Sequence, residues 1–157
     1  MKTKILSRAR LAKIISRSRS GGKKVVFTNG CFDILHIGHV TLLQKARSLG
    51  DILVVGLNSD LSVKALKGDS RPVNKVRERA AVLAALGCVD YVTVFGERTP
   101  YGLIKLLRPD VLVKGGDWRI KDIVGGDIVK ASGGRVIAIP FVKGYSTSSL
   151  INRIASL

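Results

Sequence analysis

A chain of 157 residues with 46% hydrophobic, 24% charged and 5% aromatic side chains has the makeup of a globular domain, and this length buries a core without a disulfide or metal staple. No run approaches the ~18 apolar residues of a membrane span, and two cysteines without a CxxC spacing, Cys31 and Cys88, argue against a disulfide framework and fit a reducing, cytoplasmic setting. The balance of 27 Lys and Arg against 11 Asp and Glu, a formal net of +16, predicts attraction to phosphates of any kind, whether on nucleotides, nucleic acids or membranes.

Nine of those bases fall in the first 24 positions (Lys2, Lys4, Arg8, Arg10, Lys13, Arg17, Arg19, Lys23 and Lys24), and no acid precedes Asp33. The apolar spacing predicts an amphipathic helix over about 7–19, with Ile5, Leu11, Ala12 and Ile15 inward and the bases outward. The same Arg- and Ser-rich, acid-free composition also has the look of an organelle transit peptide. Residues 1–22 therefore read as a basic helix and linker ahead of an α/β core over 23–157, the whole of 1–157 forming one domain.

From there apolar β-rich runs alternate with helical patterns. The runs are KKVVFT, DILVVGL, DYVTVF, DVLVKG and GRVIAIP. Between them lie GHVTLLQKARSLG, SVKALKG, KVRERAAVLAALG, TPYGLIKLLRP and DIVKASGG, with STSSLINRIASL closing the chain. Continuous apolar strands separated by helices predict a doubly wound, five-stranded parallel sheet of Rossmann-like α/β type, covered on both faces. Ligands of such a sheet sit outside the carboxyl ends of the strands, which selects the loops after residues 28, 57, 94, 113 and 140.

The first of these loops runs FTNGCFDILHIGH and holds both histidines of the chain, His36 and His39. Neither GxGxxG nor GxxxxGK[ST] is present, so no dinucleotide or P-loop fingerprint applies. Gly30 and Gly38 instead allow close backbone approach, and the amides opening the helix near Gly38 offer an anion site. Histidines at i and i+3 share one face of that first turn, where imidazole can donate to a phosphoryl oxygen and take up charge. A surface or capping pair is the plainer reading of the same residues, and zinc held by Cys31, His36 and His39 would lack a fourth nearby ligand.

NGCFDILHIGH resembles the GxFDxxHxGH signature of the nucleotidyltransferase superfamily that includes cytidylyltransferases and pantetheine-phosphate adenylyltransferases, whose HxGH histidines bind nucleotide phosphates. GYSTSSLINRI, from Gly144 to Ile154, is similar to that superfamily's second signature, a Ser/Thr-rich turn opening a helix. LNSDLSVKALKGDSRPVN, ERTPYGLIKLLRPDVLVKGGDW and the basic helix before KKVVFTNGCFDILH are similar to adenylyltransferases that make ADP-heptose from D-glycero-β-D-manno-heptose 1-phosphate. In many relatives that domain is fused behind a ribokinase-like sugar kinase, for which 157 residues leave no room.

The resemblance implies roles residue by residue. His36, His39 and Lys67 would be catalytic, Lys67 within a basic loop, LKGDSRPVN, that suits a lid closing on a triphosphate. The nucleotide would be bound by Thr28, Asn29, Gly30, Cys31, Phe32 and Gly38 in the first loop. Lys114, Gly115, Gly116 and Asp117 would follow at the end of the fourth strand, where paired glycines leave a slot for a purine. Tyr145, Ser146, Thr147 and Ser148 would hold the β and γ phosphates, although Ser148 also reads as a simple N-cap. Asp33, Asn58, Asp60, Arg71 and Arg79 would face the acceptor, with Asp60 equally readable as a cap or loop brace and Arg79 as a residue of the dimer contact.

The implied reaction is attack by a sugar 1-phosphate oxygen on the α-phosphorus of ATP, expelling pyrophosphate. A phosphate dianion is already nucleophilic, so positioning and charge stabilisation are the catalytic tasks and no general base is needed. Mg²⁺ would arrive bound through the nucleotide phosphates, no carboxylate cluster being evident. A homodimer is expected, with no nucleic-acid or membrane partner. Trp118 stands where the heptose family usually has Tyr and some glycerol-phosphate cytidylyltransferases have Trp, but those enzymes tend to have Arg where Phe141 follows Pro140, so ATP is expected over CTP. The rivals are a cytidylyltransferase acting on glycerol 3-phosphate or another small alcohol phosphate, a flavin-adenylating enzyme whose substrate motifs find no match, and an RNA-binding module without turnover. The last is suggested by the +16 charge and opposed by the lack of an aromatic-basic stacking surface.

Overall fold

Each apolar run becomes a strand. The computed structural model describes residues 3–157, so that Lys2 among the N-terminal bases lies outside the described residues. The strands are β1 (Val25–Gly30), β2 (Ile52–Asn58), β3 (Tyr91–Phe95), β4 (Val111–Gly115) and β5 (Arg135–Ile139). They pair in parallel in the order β3-β2-β1-β4-β5. The sheet thus grows outward from β1 in one direction and restarts beside it at β4, and the loops leaving these two neighbours diverge to opposite faces and open a crevice between them.

Among the described residues the sheet is accompanied by seven helices, α1 (Arg8–Ser20), α2 (Ile37–Arg47), α3 (Asp60–Lys67), α4 (Val76–Ala85), α5 (Tyr101–Leu107), α6 (Gly126–Ala131) and α7 (Thr147–Ala155), with a 3₁₀ turn at Ile120–Asp122. Alternate residues of β1 point to opposite faces. Val25 and Phe27 join Leu11, Ile15, Leu103, Ile104 and Val129 in one buried cluster, while Val26 joins Leu43, Leu53, Leu57 and Leu83 in the other.

α1 is part of this core: Leu11 and Ile15 are fully buried within the first cluster. The basic, acid-free composition therefore belongs to the solvent side of a core helix. Ala12 is partly buried, but Ile5 departs from expectation, being 41% exposed and outside the helix. Its segment runs beside β3, where the Val92 amide donates to the Lys4 carbonyl and the Leu6 amide to the Val92 carbonyl, each at 2.9 Å. Leu6 is the buried side chain instead. Two bases of α1 have structural partners: Arg8 grips Glu97 through two hydrogen bonds of 2.6 and 2.5 Å, and Arg19 donates to the Leu107 and Arg108 carbonyls that end α5.

The amino edge of the sheet is closed by three carboxylates. Asp51, Asp90 and Asp110 immediately precede β2, β3 and β4, and they accept from the amides of Lys24 (2.7 Å), just ahead of β1, of Leu53 (2.8 Å) on β2 and of Val25 (2.8 Å) on β1.

Candidate active site

The turn after β1 is conformationally tight. Phe32 (φ 44°) and Ile34 (φ 53°) both occupy the left-handed region, at about 1–3 kcal/mol each for residues with a β-carbon. His36 is the N-cap of α2 with extended backbone, and its carbonyl accepts from the amides of His39 (2.9 Å) and Val40 (3.2 Å). Only His39 is helical, so the pair shares a cap and not a helix face. The rings nevertheless stack, with centroids 3.8 Å apart and planes 26° from parallel, and the Phe32 ring lies 5.3 Å from His39. A β-carbon on Gly38 would press to 3.0 Å of the His36 ring, which explains the glycine between them.

Both imidazole Nδ1 atoms are buried without a hydrogen-bond partner among the described residues. Burial, then the neighbouring His36, pushes the His39 pKa down to about 4, and burial lowers His36 as well. The free protein at neutral pH therefore presents two neutral rings that can donate an N–H to an oxyanion and gain a proton once negative charge arrives.

The rings open into a cavity of about 660 Å³ at the carboxyl edge of the sheet, whose other wall is the start of α7. Ser146, not Ser148, is the N-cap there: its hydroxyl accepts from the Ser149 amide at 3.0 Å, while the Ser149 hydroxyl accepts from the Ser146 amide at 3.1 Å. Thr147 Oγ1 donates to the Asp33 carbonyl at 2.8 Å, tying this helix opening to the β1 turn. Tyr145, Ser146, Thr147 and Ser148 line the same cavity as His36, Gly38 and His39, together with Asn29, Gly30, Cys31 and Phe32. Burial raises the Cys31 thiol, which keeps it protonated.

Lys67 at the end of α3, Arg71, Lys114 at the end of β4 and Arg98, which sequence reasoning missed, add four cations to the lining. Lys67, Arg98 and Lys114 make no salt bridge among the described residues. Burial holds the Lys114 ammonium below the usual lysine range, and it sits 5.5 Å over the Trp118 ring. Arg98 carried no signal beyond its charge at the end of a strand, in a loop already selected by the strand-end rule.

Of the acceptor candidates, Asp33, Asn58 and Arg71 line the cavity, and Asp60 and Arg79 do not. Asp33 has no exposed side-chain surface: it accepts from Arg71 Nε (2.8 Å) and from the amides of Val73 (2.8 Å) and Asn74 (3.0 Å), so its carboxylate is committed to the loop. Arg79 is 2% exposed and does not line the cavity; it donates to the carbonyls of Cys31 (2.6 Å), Asn58 (2.9 Å) and Asn74 (3.0 Å) and to Asp60 (2.8 Å). Asp60 is accordingly a brace for Arg79, outside the cavity lining. Asn58 lines the cavity floor while its amide donates to Ser62 Oγ at 2.9 Å.

Among the nucleotide candidates, Thr28 is fully buried inside β1 beneath the cavity, and Gly116 and the exposed Asp117 are not in the lining. The glycine slot is filled by protein: β-carbons on Gly115 and Gly116 would meet the Phe141 ring at 3.3 and 2.9 Å, and Gly115 would also meet Leu42 at 2.9 Å. Phe141 and Trp118, 66% and 49% exposed, form an aromatic rim there, and it is Phe141's part in it that residue types alone did not reveal. Among the described residues no group of three or more His, Cys, Asp or Glu could hold a metal ion, so Cys31, His36 and His39 do not assemble as ligands. No helix among the described residues is long and apolar enough to cross a membrane.

Residues 27–153 match the family model described as Cytidylyltransferase-like. Over 146 residues, 93% of this chain, the sequence is 61% identical to the Bifunctional protein HldE of Citrifermentans bemidjiense, and over 144 residues it is 58% identical to that of Geobacter sulfurreducens. The chain spans about 30% of the length of these curated relatives. Among solved structures, the lipopolysaccharide core biosynthesis protein from Thermoplasma volcanium GSS1 aligns with a TM-score of 0.62 at 27% identity, covering 80% of this chain and 100% of that one. Pantoate-beta-alanine ligase from Francisella tularensis shares the fold, with a TM-score of 0.62 at 17% identity over 98% of this chain and 78% of its own. By a match that takes in most of its length, from the last residues of β1's apolar core to α7, the chain belongs to the cytidylyltransferase-like family.

Proposed function

We propose that the chain transfers AMP from ATP to a sugar 1-phosphate, D-glycero-β-D-manno-heptose 1-phosphate, giving ADP-heptose and pyrophosphate. The observation that carries this reading is the single cavity joining the stacked His36 and His39 to the opening of α7 at Ser146–Ser148, with Lys67, Arg71, Arg98 and Lys114 around it. Two positively polarised helix openings and four cations suit a triphosphate and a second phosphate held together. Identity of 61% to a Bifunctional protein HldE and the motifs shared with ADP-heptose-forming adenylyltransferases support the heptose acceptor.

In this mechanism the protein's task is to hold two mutually repelling anions in line and to stabilise charge that develops on the α-phosphoryl oxygens. His36 and His39 donate to those oxygens, Lys67 follows the charge moving to the departing pyrophosphate, and the α7 amides with Ser146 to Ser148 grip the β and γ phosphates. Lys114 lies toward the nucleotide and Arg71 toward the acceptor. Mg²⁺ bound through the nucleotide phosphates would offset phosphate charge, and among the described residues the lining offers no carboxylate cluster that would hold it instead. The 157 residues act as one nucleotidyltransferase unit in the cytoplasm, as a homodimer without nucleic-acid or membrane partners. α7 has no buried residue and leaves Ile154 62% exposed, apolar surface consistent with pairing.

The test is pyrophosphate release with ATP, CTP, GTP and UTP, each against heptose 1-phosphate, other sugar 1-phosphates and glycerol 3-phosphate. Turnover with ATP and the heptose is expected; turnover confined to CTP with glycerol 3-phosphate would replace the assignment. Light scattering of the purified chain reads the dimer.

A further inference from the structure

Asp33 sits between the two left-handed residues Phe32 and Ile34 and links the β1 turn to the basic loop and to the start of α7. Its carboxylate, with no exposed surface, holds Arg71 Nε, Val73 N and Asn74 N of the basic loop, and its carbonyl holds Thr147 Oγ1 at the start of α7. Four backbone and side-chain groups converging on one residue over-determine a strained turn, and strain maintained in this way marks a place where geometry serves function. The Arg71 side chain is only 14% exposed, and among the described residues just its Nε has an acceptor. Its two terminal nitrogens belong to a guanidinium that lines the cavity, in the orientation left to them once Nε is fixed on Asp33.

We propose that Asp33 is a positioning residue: its carboxylate aims the Arg71 guanidinium at a phosphoryl group in the cavity, and its carbonyl sets the opening of α7 against it through Thr147. Asp33 itself touches no substrate. The proposal rests on the phosphoryl-transfer reading above for its kinetic arm, and on anion binding alone for its second arm. A buried carboxylate beside a cavity of this kind acts through its partner because its own oxygens are all occupied, while a guanidinium fixed at one nitrogen keeps a planar fork of the other two.

The test compares Asp33→Asn, Arg71→Ala, Arg71→Lys and the Asp33→Asn/Arg71→Ala double variant, each checked for unchanged circular dichroism. A misplacement of about 1 Å costs on the order of 10²-fold in rate, so Asp33→Asn and Arg71→Ala should each lower kcat/KM by about that factor. The KM for the sugar phosphate is the one expected to rise, since Arg71 is assigned to the acceptor. The double variant should fall within about threefold of Arg71→Ala, because neighbouring residues acting as one unit are non-additive; two independent, multiplying losses would overturn the proposal. Arg71→Lys keeps the charge but loses the Nε anchor, and should be as impaired as Arg71→Ala; wild-type behaviour in that variant would also overturn it, even if Asp33→Asn fails to fold. Calorimetric titration of the same proteins with inorganic pyrophosphate needs no turnover. Binding weakened about tenfold or more in Arg71→Lys sustains the inference even where every substrate pair is inert, whereas unchanged pyrophosphate binding and kinetics would sink it.

Discussion

The two ends of the sheet treat charge in opposite ways. At the amino edge Asp51, Asp90 and Asp110 each accept an amide hydrogen bond from a neighbouring strand or the residue just ahead of it, and Asp90 adds Arg47 at 3.1 Å. At the carboxyl edge the Nδ1 atoms of both histidines and the ammonium groups of Lys67 and Lys114, with the Arg98 guanidinium, find no hydrogen-bond or ion-pair partner among the described residues. Strand-end amides beyond the reach of the ladder need an acceptor, and these three acids supply it as structural clamps. The surplus of bases is left at the cavity, where positive charge without a partner is a site prepared for an anion.

One base at the carboxyl end behaves like the acids of the other edge, and it gives the largest expected effect. Arg79, 2% exposed, holds three carbonyls and Asp60 together, and replacing it by Ala removes the one guanidinium that joins these four acceptors. A loss of about 3–5 kcal/mol is expected, in the range for breaking a buried charged pair, read as an early denaturant midpoint. An Arg79→Ala protein as stable as the parent but inactive would move Arg79 to the cavity side of the comparison.

His39 should show the reverse pattern. Its Nδ1 has no protein partner, so His39→Ala removes little that holds the fold. Loss of a preorganised donor costs about 10²–10³ in rate, and pyrophosphate release should fall by that factor while the melting temperature stays near that of the parent. Wild-type turnover would take the imidazoles out of the mechanism. Asp110→Ala is the smaller counterpart at the other edge: the Val25 amide loses its acceptor, at about 1–3 kcal/mol of stability, with kcat/KM of the folded protein unchanged.

The contrast between the edges also explains what could be read from residue order. The five strands were legible because largely buried parallel strands are continuous apolar runs, and the loops that line the cavity followed from the strand-end rule. The histidines and the Ser/Thr turn were legible because motif and position coincide. Direction of side chains was not: Asp33, Asp60 and Arg79 have the residue types of a binding site, yet all three turn toward protein because strained turns and buried carbonyls claim them first. The place of Phe141 was hidden for a different reason, since it fills the glycine slot only because β4 and β5 are neighbours at Gly115 and Ile139. Ile5 illustrates the same limit, its period suggesting a helix face where an edge bridge to Val92 forms.

The smallest expected effect separates the two edges by pH. His39 has a folded pKa of about 4 against an ordinary value of 6.5. Above that ordinary value it is neutral whether folded or unfolded and contributes nothing. As pH falls from 6.5 toward 4 the unfolded chain takes up a proton that the folded chain refuses, so stability declines through this window and the contribution levels off below it. The carboxylates act later. Burial would raise Asp33, but hydrogen bonds from Asn74, Val73 and Arg71 outweigh it and hold it below its ordinary 3.8, so its stabilisation is present above that value and is lost as pH drops beneath it. The hydrogen bonds and charge of Arg8 put Glu97 lower still, at about 2. Chemical denaturation across pH should thus show two separate declines, and His39→Ala should remove most of the first alone. A triphosphate in the cavity favours the imidazolium, so ATP binding at pH near 6 should take up a fraction of a proton, measured by calorimetry in two buffers of different ionisation heat. Equal proton uptake by the parent and by His39→Ala would mean that the stacked rings do not face the bound phosphates.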